Sequence, residues 1–80
     1  MSRAILEIDL HGKNVYQAKT ALDVTLRRSP AGVYRIRVIH GSSRGTALRD
    51  MVWQTYPHHP RVLRLNAVGP DITDLILREM

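Results

Sequence analysis

Two histidine-glycine dipeptides are the residues of this chain best suited to chemistry. They are His11-Gly12 and His40-Gly41, and Asp9 lies two positions before the first of them. Imidazole titrates near neutral pH, so two imidazoles brought together can deprotonate a nucleophile and protonate a leaving oxygen in phosphodiester cleavage. A carboxylate on the same strand face can orient an imidazole or help to hold a divalent ion. The alternative is a structural pair of capped histidines in turns.

The second dipeptide opens a short loop, Gly41 to Gly45, which leads into a predicted helix. The N-terminus of a helix offers free backbone amides, which favour an anion such as a phosphate. A plain strand-to-helix turn that needs glycine would leave the same pattern, so the spacing alone allows both interpretations. In the phosphate interpretation, the loop and the first helical turn add hydroxyl groups and cations from Ser42, Ser43, Arg44, Thr46 and Arg49.

Two other motifs compete for a chemical role. The loop also matches Gly-x-Ser-x-Gly, the nucleophile elbow of serine hydrolases, with Ser43 at its centre. That elbow needs a far larger sheet, and no Asp followed by His stands at suitable strand ends. His58-His59 is a poor metal site, because adjacent histidines point apart in most backbones. The sequence predicts no metal site held by protein ligands and leaves the cofactor open, with a divalent ion such as Mg²⁺ beside Asp9 as the candidate.

The strands that position these groups are predicted from a period of two in apolar residues. Residues 5–11, 33–39, 62–68 and 72–78 alternate in this way. In the third strand the residues predicted to face inward are Leu63, Leu65 and Ala67.

Two helical patterns separate the first three strands. The first covers residues 14–28 and begins with Asn14 and Gln17, which are spaced as a capping box. The second begins at Thr46, whose hydroxyl can cap it, and stops before Pro57.

The resulting order is βαβαββ, in which the βαβ units imply parallel pairing with both helices on one face of the sheet. Helices on both faces would require strands that are apolar throughout, and these strands are not. We therefore predict an α/β two-layer open sandwich with a four-stranded mixed sheet. Parallel strands end at one edge, where ligands bind, so His11 and His40 should converge there. The open face should be mainly basic, with Glu7, Asp9, Arg35, Arg37, Arg64, Asn66, Asp74 and Arg78.

The composition of the chain indicates its domain number, its class of partner and its location in the cell. A chain of 80 residues with 44% hydrophobic and 24% charged residues is ordinary globular material, so residues 1–80 are predicted to form one domain, with a monomer as the default. The net charge is +5, and ten of the twelve cations are arginine, which favours a polyanionic partner over mere solubility. The chain has no cysteine and no stretch that suggests a signal peptide or a membrane span, so we expect a cytoplasmic protein.

Several short motifs follow one another in order along the chain. They are Ile8-Asp9-Leu10-His11-Gly12, Val15-Tyr16-Gln17-Ala18, Val38-Ile39-His40-Gly41, Gly45, Ala47-Leu48-Arg49, Gly69, Thr73 and Leu75. In this order the chain resembles the Smr domain, the small MutS-related domain found alone or at the C-terminus of some MutS paralogues. The resemblance covers residues 4–78.

The resemblance implies a fold similar to the C-terminal domain of translation initiation factor three, with nicking or ribonuclease activity in several members. It implies that Asp9 and His11 are catalytic and that His40, Gly41 and the following loop form the second half of the site. Many members carry His-Gly-x-Gly-x-Gly, whereas Ser43 and Arg44 stand inside the loop here.

The hypothesis from the sequence is a phosphodiesterase that acts on DNA or RNA, between which the sequence does not choose. His11 acts as general base or acid, Asp9 orients it, and His40 is its partner. The alternatives are a non-catalytic module that binds nucleic acid and a protein-interaction domain. The predicted phosphate contacts are Gly12, Lys13, Gly41, Ser42, Ser43, Arg44, Gly45, Thr46 and Arg49, with Arg35 and Arg37 on the open face.

Overall fold

The structure is a computed structural model that describes residues 4–43 and 45–79. Within these residues the elements follow the predicted order βαβαββ, with one turn of 3₁₀ helix after the second α-helix. Their bounds are β1 Ala4–Asp9, α1 Val15–Arg28, β2 Val33–Ile39, α2 Ala47–Thr55, the 3₁₀ turn Tyr56–His58, β3 Arg64–Gly69 and β4 Ile72–Ile76.

The four strands form one mixed sheet in the order β1-β2-β4-β3. β1 and β2 are parallel, and β4 runs antiparallel to both of its neighbours. The second strand has the predicted bounds, whereas β1 ends two residues early and β3 begins two residues late. The predicted α/β open sandwich is confirmed, and the parallel pair places the ends of β1 and β2 at the same edge.

Both helices cover one face of the sheet, and the core lies between the two layers. Alternation in the strands supplies the sheet side of this core, and residues three or four apart supply the helix side. Fully burying one such apolar side chain contributes about 1.5–3 kcal/mol. The side chains with no exposed surface include Ile36, Val38 and Leu75 from the strands, Leu10 directly after β1, and Ala18, Leu22, Leu26 and Val52 from the helices.

The start of β3 differs from the prediction. Leu63, predicted to face inward, is 56% exposed, and Val62 takes the buried place instead. The regular strand begins only at Arg64, and within it only Leu65 is partly buried, so Ala67, which was also predicted to face inward, is exposed as well. None of the helices in residues 4–43 and 45–79 has the length and apolar character that crossing a membrane requires.

The open face of the sheet is less basic than the sequence predicted. Asp74 on β4 is fully buried there, and it accepts hydrogen bonds from Arg35 and Arg37 of the adjacent β2 at 3.0 Å each. The hydrogen bond and charge of Asp74 raise the pKa of Arg37. Arg64 is paired with Glu79 at the far edge. These arginines are therefore engaged within the fold, and the phosphate contacts of Arg35 and Arg37 stay a prediction.

The first helix has the predicted capping box. The side chain of Asn14 accepts a hydrogen bond from the Gln17 backbone at 2.7 Å, and the Gln17 side chain accepts one from the Asn14 backbone at 3.1 Å. We expect Asn14→Ala to lower the free energy of unfolding by about 1 kcal/mol, because the Gln17 backbone N–H loses its side-chain acceptor. Urea unfolding measures this, with the exposed helical Gln54→Ala as the control. Equal stability of the two variants would contradict the assigned cap.

Candidate active site

The loops that follow β1 and β2 meet at one edge of the sheet. A Cβ atom built on Gly41 would lie 3.6 Å from the Cβ atom of His11, so the two loops are in van der Waals range. Between them lies a cleft of about 570 Å³. The two loops and the first turns of both helices line it, through His11, Gly12, Lys13, Asn14, Val15, His40, Gly41, Ser42, Ser43, Gly45, Ala47 and Leu48.

Asp9 and His11 form a hydrogen-bonded pair at this edge. One carboxylate oxygen of Asp9 accepts from the Nδ1 atom of His11 at 2.7 Å and from the His11 backbone N–H at 3.0 Å. A carboxylate only accepts, so Nδ1 carries the proton, and Nε2 of the neutral ring keeps a lone pair. Both side chains are at least half exposed. His11 thus offers Nε2 as a base on the wall of the cleft.

The local backbone explains why the pair forms. β1 ends at Asp9, and the Lys13 N–H donates to the Leu10 carbonyl at 3.0 Å, which closes a tight turn. Gly12 stands at the third position of that turn with φ +82°, a left-handed conformation that glycine adopts without a steric penalty. The hydrogen bonds from His11 hold the pKa of Asp9 below its ordinary value, so the carboxylate is ionised at neutral pH.

His40, which the sequence predicts to be the partner of His11, lies in a different environment from it. Its ring is buried, with 3% of the residue exposed. Nδ1 lies 3.0 Å from the carbonyl oxygen of Gly41, and Nε2 lies 3.0 Å from Oγ1 of Thr73. Because both ring nitrogens have partners inside the protein, His40 as it stands holds the loop and is not available to move a proton.

Asp71, in the turn between β3 and β4, anchors the start of the glycine loop. Its backbone carbonyl accepts from the N–H groups of His40 and Gly41 at 2.9 and 3.1 Å. Its carboxylate accepts a hydrogen bond from the Ser42 hydroxyl, so the hydrogen of that hydroxyl already has an acceptor within the protein. Ser43 lies in the cleft wall, while Arg44 falls outside the described residues.

The two helix N-termini at the cleft differ in an important way. Thr46 holds the N-cap position of α2, but its side chain caps no backbone group and donates instead to Asp50 at 3.0 Å. The first amides of a helix have no intrahelical acceptor, so those of α2 remain available to a ligand. At α1, the Asn14 side chain already accepts a hydrogen bond from the Gln17 N–H. More free amides are therefore available to an anion at α2 than at α1.

The cleft does not gather every predicted residue, and two residues that support its glycine loop from outside the lining were not predicted. Arg49 is exposed on α2 outside the cleft lining, and Arg35 and Arg37 lie on the open face. The sequence interpretation gave no role to the chemistry of Asp71 or Thr73. Thr73 is a polar residue on the inward face of a strand, and a buried hydroxyl needs a partner, which was the available signal.

The described residues do not fit a metal ion held by protein side chains. Over residues 4–43 and 45–79 there is no group of three or more histidine or acidic side chains placed to bind one. Asp9 contributes a single carboxylate, and His11 occupies one of its oxygens. We therefore derive no step of the chemistry through a metal ion.

The substitution Gly41→Ala tests whether the backbone conformation of the glycine loop affects ligand binding in the cleft. The φ of Gly41 is +76°, a region that costs a residue with a Cβ atom about 1–2 kcal/mol. We expect Gly41→Ala to lower the free energy of unfolding by that amount and to weaken binding of a polyanion, because the loop must shift. The control is Gly69→Ala, which meets no atom within 4 Å. Urea unfolding and heparin affinity chromatography measure the two effects, and equal behaviour of both variants would contradict the expectation.

Comparisons with known proteins agree with this architecture. A model of the Smr domain family, described as "Smr domain", matches residues 8–71, which include both histidine-glycine dipeptides. The chain is similar to the crystal structure of the Smr domain of Thermus thermophilus MutS2, with a TM-score of 0.82 and 28% sequence identity over 92% of this chain and 99% of that chain. No curated protein matches the chain. The family match spans well over half of the sequence, so the chain belongs to the Smr domain family.

Proposed function

We propose that this Smr domain is a phosphodiesterase that cuts nucleic acid at the cleft. The observation that carries the proposal is the pairing of Asp9 with His11 at 2.7 Å on one wall, opposite the uncapped N-terminus of α2 on the other. A base with an open lone pair then faces a group of free amide donors. A phosphodiester needs both, a proton acceptor for the nucleophile and donors for its charged oxygens.

In the proposed step, a phosphate group lies between the two loops, and its oxygens accept from the amides at the start of α2. Nε2 of His11 takes a proton from the attacking hydroxyl, which is either water or a ribose 2′-hydroxyl. The new P–O bond forms as the bond to the leaving oxygen breaks, and that oxygen takes a proton from the His11 imidazolium or from water. Asp9 holds the ring in the Nδ1–H state and stabilises the imidazolium. Lys13 lines the same cleft and adds a positive charge.

The net charge of the chain supports a nucleic acid as the substrate. An excess of five positive charges attracts a polyanion over a distance set by ionic strength. Phosphate contacts of this kind make affinity fall with added salt. The proposed partner is thus DNA or RNA, bound through its backbone.

Nicking and cutting assays test the proposal. Purified protein is incubated with supercoiled plasmid and with a structured RNA, with Mg²⁺ or with a chelator. We expect the wild type to convert at least one substrate and His58→Ala, which removes an exposed histidine outside the cleft lining, to do the same. No conversion of either substrate under any condition would sink the phosphodiesterase proposal.

A binding module is the second candidate, and the state of His40 favours it. With that ring buried and bonded at both nitrogens, the described part of the cleft holds only one imidazole that can move a proton. This candidate predicts salt-dependent affinity for DNA or RNA without cleavage. If neither affinity nor cleavage is found, a protein-interaction domain becomes the leading function.

A further inference from the structure

Thr73 on β4 joins His40 to α2 through a chain of hydrogen bonds. Nε1 of Trp53 lies 3.1 Å from Oγ1 of Thr73, and Nε2 of His40 lies 3.0 Å from the same oxygen. Nδ1 of His40 lies 3.0 Å from the Gly41 carbonyl oxygen. Thr73 and His40 are almost fully buried, at 1% and 3% exposure. The chain thus runs from a helix, through the sheet, to the loop that borders the cleft.

Donor and acceptor chemistry fixes the direction of this chain. The indole N–H only donates and a carbonyl only accepts, so the two ends are unambiguous. Trp53 gives its hydrogen to Oγ1 of Thr73, and Nδ1 of His40 gives its hydrogen to Gly41. The Thr73 hydroxyl hydrogen is then left for the lone pair on Nε2 of His40. This arrangement satisfies all three polar groups with an imidazole that carries its proton on Nδ1.

The Gly41 carbonyl links this chain to the cleft. In a trans peptide, the carbonyl and the following N–H point in opposite directions. Because the buried ring of His40 draws the Gly41 carbonyl inward, the N–H of Ser42 is turned away from the core. Ser42 lines the cleft, and its N–H has no acceptor in the part of the chain that the structure describes. This amide is therefore a donor at the cleft that no described group of the protein occupies.

We propose that Thr73 and Trp53 are positioning residues that fix the tautomer of His40 and thereby aim the Ser42 amide into the cleft. His40 then serves the site by holding the loop, which explains why a buried, fully bonded histidine stands beside it. The second part, that the aimed amide contacts a phosphate, rests on the proposed function. The first part, the state of the His40 ring, does not.

The test is nitrogen-15 NMR of the histidine rings and backbone of the full chain. In the wild type we expect His40 to carry its proton on Nδ1, with Nε2 unprotonated. Thr73→Val keeps the shape of the side chain and removes the hydroxyl, so the Nε2 resonance and the Ser42 amide resonance should both move. Thr73→Ser restores the hydroxyl and should return both. A wild-type ring protonated at Nε2, or a Thr73→Val variant with both resonances unmoved, would overturn the proposal.

Trp53→Phe keeps the inference testable if Thr73→Val does not fold. This variant keeps an aromatic ring on α2 and removes the N–H donor to Thr73, so it should shift the Nε2 resonance of His40 in the direction seen without the hydroxyl. Thr73→Ser should leave that resonance near its wild-type position. The opposite pattern, with Trp53→Phe unchanged and Thr73→Ser shifted, would contradict the chain of hydrogen bonds.

Titration with inorganic phosphate, followed at the Ser42 amide resonance, tests whether the hydrogen bonds of Thr73 and His40 affect ligand binding. We expect Thr73→Val to weaken phosphate affinity about 3- to 10-fold, the equivalent of one neutral hydrogen bond, and Thr73→Ser to keep it. Equal affinity in all three proteins would refute the link between the ring and the ligand. If the wild type binds no phosphate, the proposed function fails at this cleft, while the ring resonances still decide the state of His40.

Discussion

Replacing His11 by alanine is expected to lower the single-turnover rate of nucleic acid cleavage about 10²- to 10⁴-fold, the range for loss of a general acid–base group. Asp9→Asn should cause a loss of similar size. The amide in place of the carboxylate can present an N–H to Nδ1, which favours the tautomer that has no lone pair on Nε2. Gel assays on a labelled strand measure both rates.

The same two variants should bind nucleic acid almost as the wild type does. Both side chains are largely exposed, and neither supplies the amide donors of α2. The loss should therefore appear in the rate at saturating protein and not in the affinity. His58→Ala is the matched control for removal of an exposed histidine. Variants that cut at the wild-type rate would show that the Asp9–His11 pair is not the catalytic group.

Asp74→Ala is expected to lower the free energy of unfolding by about 3 kcal/mol, the cost of removing one partner from a buried ion pair. The carboxylate of Asp74 is fully buried and receives hydrogen bonds from Arg35 and Arg37. Each arginine side chain is about 30% exposed, so water can reach only part of the charge left behind. Urea unfolding followed by circular dichroism gives the change.

Glu7→Ala provides the control on the same face of the sheet. Glu7 lies opposite Arg37 in the register of β1 and β2, but it is exposed, and such surface carboxylates contribute about 0–1 kcal/mol. Asp74→Asn separates charge from shape, because the amide keeps the volume and loses the charge. If Asp74→Ala and Glu7→Ala have the same small effect, the burial of Asp74 is not what holds the two arginines in place.

Local patterns were enough to predict most of the fold. The alternation in residues 33–39 predicted β2 at its observed bounds, and Asn14 with Gln17 marked the start of α1. These features depend on residues within one or two turns of each other, so their physical causes are visible in the sequence. The meeting of the loops after β1 and β2 followed from parallel pairing, which the βαβ order implies.

Features that depend on distant partners were not predictable in the same way. The role of His40 depends on Thr73, and the burial of Asp74 depends on Arg35 and Arg37, all more than 30 positions away along the chain. Only the register of β2 against β4 brings these groups together. Thr46 fits the pattern of a helix cap, but its hydroxyl has a competing acceptor in Asp50. A pattern predicts that a group needs a partner, and the packing of the strands decides which partner it finds.

The most direct measurement of the central claim is cleavage of DNA and RNA strands of identical sequence, with and without a chelator, under single-turnover conditions. The proposed chemistry predicts that the wild type cuts at least one strand, and that His11→Ala from the same purification cuts the same strand about 10²- to 10⁴-fold more slowly under the same conditions. Cleavage by His11→Ala at the wild-type rate, with or without the chelator, would contradict a site in which the Asp9–His11 pair supplies the base.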